Sequence, residues 1–490
     1  MTEGCEPRPG AFAGLLAARR EPWAKQADLS GHCHGHPGTR QTETGARVRA
    51  LQSAADPAGL RSHPAEARLQ TRGRSRYRAW GLAGAVLVLA VAGCGGGSPG
   101  TPPVRLGAGP AAAALVDPVH VTVSGLPSDG LVTVQARALD KEGQPWVSAA
   151  VFRASAAGTL NLATVVPVSG SYHTADAAGL LWSLHPAPGT SQATGFSTST
   201  AGFAVRLQVL TGGRVRATAT LQRRWQVTLS VQTVRQEGFD GLLYTSAVVR
   251  PGAPVVVVLG GSEGGYDAVP AAALAMAGYP ALALGYFDEP GLPQCLCSIP
   301  LEYFARAVSW LRNQPLGRGR LVVLYGASAG TEAVLLLASY LPHLADGVIA
   351  SSPTAVITPS ISVVPGAAWT LGGQPLTPET TIPVTRIRVP LLMGDGGQDP
   401  IWDSAAAAST IMTELHGSPV HAPAVNLYYP GAGHYYFGFT PYFPFFTDQG
   451  LGGSVQANAL ATEQFWTRMI SFLHHLAIHQ PPTAGLPQKP

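Results

Sequence analysis

Eleven consecutive residues constrain this chain more than any other stretch. Leu321-Val-Val-Leu-Tyr325 is a continuous apolar run, Gly326-Ala-Ser-Ala-Gly330 follows it directly, and Thr331 opens an Ala- and Leu-rich helical stretch. An unbroken apolar run of this length reads as a strand buried on both faces, which is the condition of a parallel sheet covered by helices. A strand that becomes a helix within five residues needs a sharp turn. G-x-S-x-G in that setting puts Ser328 on a strained elbow, with glycines two residues away on each side where side chains would clash. The helix that follows aims its first backbone N–H groups and the positive end of its dipole beside the serine hydroxyl.

The remaining texture agrees. Val255–Leu259 is a second all-apolar run, and Pro280–Leu284, Gly347–Ala350, Val389–Met393 and Ala424–Tyr429 supply further strands. Helical stretches alternate with them at Val269–Ala277, Leu301–Arg312, Thr331–Tyr340, Ser404–Leu415 and Ala457–Ala477. Strand and helix in alternation make a right-handed doubly wound sheet. The expected fold is therefore α/β, an α/β-hydrolase doubly wound sheet over residues 240–480, with 481–490 as a tail. Upstream, Val119–Ser124, Leu131–Ala136, Phe203–Leu210, Val215–Leu221 and Val227–Val234 alternate apolar with polar residues. Turn-forming residues separate them, as at Pro127-Ser-Asp-Gly130. Short alternating strands without a helical period predict a β-sandwich over 115–236.

A serine nucleophile needs a base, and the base needs an orienting acid; in this fold acid and then His follow the Ser along the chain. Pro430-Gly-Ala-Gly-His434 leaves a strand end on glycines, so His434 is the candidate base. The loop Gly394–Trp402 offers Asp395 and Asp399, and Asp403 lies just beyond it. Asp399 is favoured because it stands a loop-length past the strand, while Asp395 is close enough to the strand for a capping role. His474, His475 and His479 read as helix-surface or helix-end residues. For the oxyanion, Gly260-Gly-Ser-Glu-Gly-Gly265 follows the strand Val255–Leu259, and the N–H of Gly261 or Ser262 can join that of Ala329. No Lys-Ser/Thr follows these glycines, so the loop is not a phosphate cradle. Residues 351–387, poor in charge and rich in Pro, Gly and Thr, follow a strand end where a lid could cover an acyl chain; a long ordinary loop fits the same composition.

Charge excludes one class of partner. Residues 1–93 hold 13 Lys or Arg against 7 Asp or Glu, whereas 94–490 hold 19 against 21. The body is near neutral and offers no nucleic-acid surface. The basic excess belongs to a leader. Arg72, Arg74, Arg76 and Arg78 precede the apolar run 80–92 and then Val91-Ala-Gly-Cys94. These are the parts of a secretory signal, and the run is shorter than the roughly 20 residues a spanning helix needs. The last four residues resemble a bacterial lipobox, which predicts lipid on Cys94, loss of 1–93 and a membrane-tethered, extracytoplasmic protein. The signal lies far in, so residues 1–70 read as sequence upstream of the true start; a tail-in anchor with a cytoplasmic N-terminus is the alternative. His32, His34 and His36 alternate with Cys33 and could suggest a metal tract, but disorder or sequence upstream of the true start fits residues 1–70 better; no spacing among the five cysteines resembles a zinc site, and no metal or other cofactor is expected. Residues 94–114 read as a Gly/Pro-rich tether. Cys295 and Cys297 are close enough to oxidise to a small loop, or are two small residues in a loop.

Further motifs carry a family resemblance. Val116-Asp-Pro-Val119, Ser124-Gly-Leu-Pro127, Gly170-Ser-Tyr172 and Gly179-Leu-Leu-Trp182 lie in the first half. Ala277-Gly-Tyr279, Leu301-Glu-Tyr-Phe304, Ala368-Trp-Thr-Leu371, Gly397-Gln-Asp399, Gly433-His-Tyr435 and Pro441-Tyr-Phe-Pro444 lie in the second. From Leu115 onward the chain resembles the acyl-CoA thioesterases and bile-acid-CoA:amino-acid N-acyltransferases. The resemblance implies an immunoglobulin-like N-terminal sandwich, an acyl thioester substrate, and a triad at Ser328, His434 and Asp399. Amino-acid-conjugating members carry Cys as nucleophile; Ser328 matches the thioesterase members. The expectation is a serine-dependent acyl hydrolase of acyl-CoA-like thioesters. Its rivals are an extracytoplasmic carboxylesterase or lipid-ester hydrolase, and a binding lipoprotein with a vestigial hydrolase domain.

Overall fold

The computed structural model describes residues 103–190, 195–199, 201–225, 229–235, 238–362, 365–420, 422–434, 441–444 and 450–478. Cys94 and the leader lie outside the described residues. Among the described residues no helix is long and apolar enough to cross a membrane.

The second half is built on one eight-stranded sheet. Its strands are β1 (Leu229–Val234), β2 (Asp240–Ser246), β3 (Val255–Leu259), β4 (Ala281–Gly285), β5 (Val322–Ala327), β6 (Gly347–Ser351), β7 (Leu391–Gly396) and β8 (Ala424–Tyr429). Their spatial order is β1-β2-β4-β3-β5-β6-β7-β8. The pairs from β4 to β8 are parallel, and β1 and β2 close one edge antiparallel. This is the α/β-hydrolase fold. Its helices are α1 (Ala268–Met276), α2 (Leu301–Asn313), α3 (Ala329–Tyr340), α4 (Ser404–Gly417) and α5 (Val455–Ile478).

Alternation along the strands explains why both faces are covered. Val256 and Val258 point into a core shared with α1 and α5, while Val255, Val257 and Leu259 point into a second core with α2, α3 and α4. All five residues of β3 are buried, as a central strand between two helical layers must be. α1 is buried at all nine positions, so it has no solvent stripe and is covered on every side. The first core continues without interruption into the N-terminal region.

That region holds two mostly antiparallel sheets. One joins Arg105–Gly109, His120–Ser124 and Leu160–Asn161. The other is centred on Leu131–Leu139, Pro145–Arg153, Phe203–Thr211 and Arg214–Arg224. Leu131–Leu139 buries every second residue, and Val123, Val134, Trp146, Val205 and Leu207 share one core between the sheets.

Two expectations need correction here. Of the run at Val227–Val234, grouped with the sandwich over 115–236, the described residues Leu229–Val234 form β1 of the hydrolase sheet instead. Its half-exposed alternation is that of any antiparallel edge strand, so the pattern could not say which sheet it joined. The tether over 94–114 is partly strand, for Arg105–Gly109 pairs with His120–Ser124, and Ala112–Ala114 pairs with Arg214–Arg224. Small residues permit the approach: a Cβ on Gly107 would lie 2.8 Å from Thr122 Oγ1.

Candidate active site

Ser328 sits between β5 and α3 with φ 53° and ψ −122°, a left-handed backbone that costs a non-glycine residue energy. The glycines of the motif explain how the turn fits. A Cβ on Gly326 would lie 2.2 Å from the Gly330 carbonyl oxygen, and one on Gly330 would lie 2.4 Å from the carbonyl oxygen of Leu259. The elbow therefore packs backbone against backbone, onto the end of β3. Ser328 N–H donates to the Ser351 carbonyl at 3.1 Å, and the Thr331 hydroxyl returns to the Ser328 carbonyl at 2.7 Å.

Three predicted residues meet there. His434 Nε2 and Ser328 Oγ are 2.8 Å apart, and His434 Nδ1 and Asp399 Oδ2 are 2.8 Å apart. A carboxylate can only accept, so Nδ1 carries the hydrogen and Nε2 is left as acceptor for the serine hydroxyl. The His and Asp side chains are 6% and 1% exposed, which keeps both bonds out of competition with water. The second oxygen of Asp399 accepts the N–H groups of Ile401 at 2.9 Å and Trp402 at 3.3 Å. Trp402 meets the His434 ring edge-on at 5.0 Å, and its indole N–H donates to the Ser352 carbonyl at 3.1 Å.

Glycine again permits the loop that carries His434. A Cβ on Gly433 would lie 2.1 Å from the Leu451 carbonyl oxygen, and one on Gly396 would lie 2.3 Å from that of Gly433. His434 N–H donates to Leu451 at 2.7 Å, and buried Asn458 of α5 takes the Gly433 N–H at 2.8 Å. The rival carboxylates have other places. Asp403 caps α4, accepting from Ala406 N–H at 3.1 Å. Asp395 belongs to β7 itself, where burial raises its pKa to about 6.

The Gly-rich loop after β3 places its two candidate donors, Gly261 and Ser262, differently. Gly261 lies against the serine: a Cβ there would be 3.0 Å from Ser328 Cβ. Its N–H, however, donates to Glu263 Oε1 at 3.0 Å. Ser262 is exposed, and Ala329 begins α3, where its N–H has no intrahelical acceptor. Glu263 stands inside the same Gly-rich stretch, where nothing local distinguishes it from a solvated carboxylate.

The described residues of 351–387 are packed against the hydrolase core. Ile357, Trp369, Ile382 and Ile387 are buried in the second core. Beneath them the fully buried carboxylate of Glu332, on α3, accepts Thr358 N–H and Trp369 Nε1–H at 2.7 Å each and the Thr358 hydroxyl at 2.5 Å. Burial raises Glu332 to about pKa 7 against these bonds. Cys295 and Cys297 form a disulfide. Among the described residues no group of His, Cys, Asp and Glu could hold a metal ion.

Residues 116–236 match the family described as acyl-CoA thioester hydrolase/BAAT N-terminal region. Residues 299–365 and 368–478 match the BAAT/acyl-CoA thioester hydrolase C-terminal family. The mitochondrial acyl-coenzyme A thioesterase 2 of Mus musculus is 28% identical over 394 residues, covering 73% of this chain and 86% of that one. Acyl-coenzyme A thioesterase 1 of Rattus norvegicus is also 28% identical, covering 73% and 93%. Among solved structures, esterase B of Lactobacillus rhamnosis is similar at 13% identity and TM-score 0.34, covering 52% of this chain and 88% of that one.

Proposed function

Because the chain belongs to the acyl-CoA thioester hydrolase/BAAT family, we propose that it is a serine-dependent hydrolase that cleaves acyl thioesters through an acyl-Ser328 intermediate. The observation that carries this reading is the unbroken run Ser328–His434–Asp399, 2.8 Å at each step. Ser328 Oγ attacks the acyl carbonyl as His434 Nε2 takes its proton, and Asp399 holds the ring and balances the imidazolium. The oxyanion forms beside the start of α3, where backbone N–H groups receive it. His434 then passes the proton to the leaving thiolate. The same nitrogen next activates water, which releases the acid and restores the serine.

A Ser nucleophile favours water over amino acids as the acceptor. An oxygen-ester intermediate is less electrophilic towards amines than the thioester a Cys would form. Hydrolysis rather than conjugation follows, and a palmitoyl thioester offered with excess glycine or taurine tests it by mass spectrometry. Free acid should dominate; amide as the main product would sink the reading. In parallel, a fluorophosphonate should label the protein once, and Ser328→Ala should lose the label and about 10⁴–10⁶ in kcat. Label that survives the substitution would move the nucleophile elsewhere.

The basic run, apolar run and Val91-Ala-Gly-Cys94 favour a second substrate reading for the same machinery. A protein lipidated at Cys94 works outside the cytoplasm, where oxygen esters of lipids are a more accessible substrate than acyl-CoA. Relative kcat/KM on matched esters and thioesters separates the two. We further take the chain as an immunoglobulin-like sandwich followed by a catalytic domain, with β1 assigned to the latter.

A further inference from the structure

The oxyanion loop is held by two side chains that the reaction scheme above does not use. The amide linking Gly260 to Gly261 is engaged at both ends. Its carbonyl, Gly260 O, accepts the Tyr286 hydroxyl at 2.7 Å, and its N–H, on Gly261, donates to Glu263 Oε1 at 3.0 Å. Tyr286 is itself fixed. Its ring stacks on Trp369 at 5.9 Å and packs against Phe304 at 5.4 Å, and Trp369 is anchored by Glu332. Burial pushes the Tyr286 hydroxyl well above its ordinary range, so it remains a donor. A bond from an N–H to a carboxylate is among the stronger hydrogen bonds. An N–H has one hydrogen, and that of Gly261 is spent. The next N–H along the loop, on Ser262, has no acceptor among the described residues.

We propose that Tyr286 and Glu263 clamp the Gly260–Gly261 amide so that Ser262 N–H, and not Gly261 N–H, joins Ala329 N–H as the second oxyanion donor. Both side chains are positioning residues. The proposal rests on Ser328 being the nucleophile. It differs from a purely structural role in one respect: loss of the clamp should weaken binding of the tetrahedral oxyanion while leaving ground-state binding alone. Displacement of a donor by about 1 Å is worth about 100-fold in rate, which sets the scale.

The test uses the full chain, p-nitrophenyl butyrate as substrate, and two inhibitors. One is an alkyl trifluoromethyl ketone, which adds Ser328 and forms an oxyanion. The other is the corresponding alcohol, which cannot be attacked. Glu263→Ala and Tyr286→Phe should each lower kcat by about 10- to 100-fold, lower affinity for the ketone by a similar factor, and leave affinity for the alcohol within about twofold. Glu263→Gln keeps an acceptor oxygen for Gly261 N–H and should stay within about threefold of wild type. Wild-type or higher kcat in Glu263→Ala would overturn the clamp, because the carboxylate would then be idle or in the way. Glu263→Gln falling as far as Glu263→Ala would overturn it too, since the charge itself would be acting. Equal loss of affinity for ketone and alcohol would mean general damage to the pocket, and also counts against it. Ser328→Ala runs alongside: activity that persists there would remove the nucleophile assignment instead, a result distinct from any of these.

Discussion

Replacing Glu332 with glutamine should stabilise the protein, and only above about pH 5. Glu332 is fully buried, and its neighbours are Thr358 and Trp369 rather than a cation. Burial raises its pKa from 4.5 to about 7. The folded protein thus binds this proton more tightly than the unfolded chain, so ionisation opposes folding. The contribution is fully favourable below about pH 4.5 and is lost as pH rises through about 7. With about 1.4 kcal/mol per pKa unit, the difference between 4.5 and about 7 amounts to about 3 kcal/mol at alkaline pH. An amide reproduces the protonated carboxyl: its oxygen accepts the Thr358 and Trp369 N–H groups, and its nitrogen donates to the Thr358 hydroxyl. Glu332→Gln should therefore match wild type at pH 5 and exceed it by up to about 3 kcal/mol at pH 8. Urea unfolding of both proteins at the two pH values measures this. Buried Asp395 and half-buried Glu463, raised to about 6 and about 7, titrate in both proteins and cancel in the difference. A variant less stable than wild type at pH 8 would refute the reasoning, for it would mean that the three donors reward the ionised carboxylate more than burial penalises it.

Two further outcomes are expected. Asp399→Asn should lower kcat by about 10⁴ with the fold intact, while Asp403→Asn should leave kcat nearly unchanged, because that side chain caps α4 whereas Asp399 meets His434 Nδ1. Steady-state kinetics with a thermal melt decides between them, and a costly Asp403→Asn with a mild Asp399→Asn would exchange the assignments. Intact mass of protein extracted from its native host should begin at a lipidated Cys94; an N-terminus upstream of it would end the lipoprotein reading.

The parallel strands were legible because burial on both faces leaves a signature in the residues themselves. Val255–Leu259 and Leu321–Tyr325 have no polar face to misread. β1 had one, and its alternation suited either of two sheets. β2, with its Asp and Tyr, carries no such signature; only its pairing between β1 and β4 defines it. Trp369 lies in a family motif and Trp402 closes the aspartate loop, but neither role was legible locally, since each depends on a partner far along the chain: Ser352 and His434 for Trp402, Glu332 for Trp369.

The sequence by itself determined what depends on local chemistry. The elbow at Ser328 follows from a strand, two glycines and a helix within eleven residues, and His434 follows from chain order and a glycine-bearing loop. Tertiary structure decided what depends on which groups compete for one bond. Three aspartates stood within nine residues, and the separation came from β7 holding Asp395, α4 taking Asp403 and His434 meeting Asp399. Gly261 and Ser262 were equivalent as letters until Glu263 took the N–H of the first. Residues 351–387 had the composition of a lid, yet a carboxylate 37 residues before Trp369 bonds its indole and holds the segment against α3. A hydrogen bond has direction and a limited number of partners, so its outcome is settled in space, where the sequence order of the competitors no longer matters.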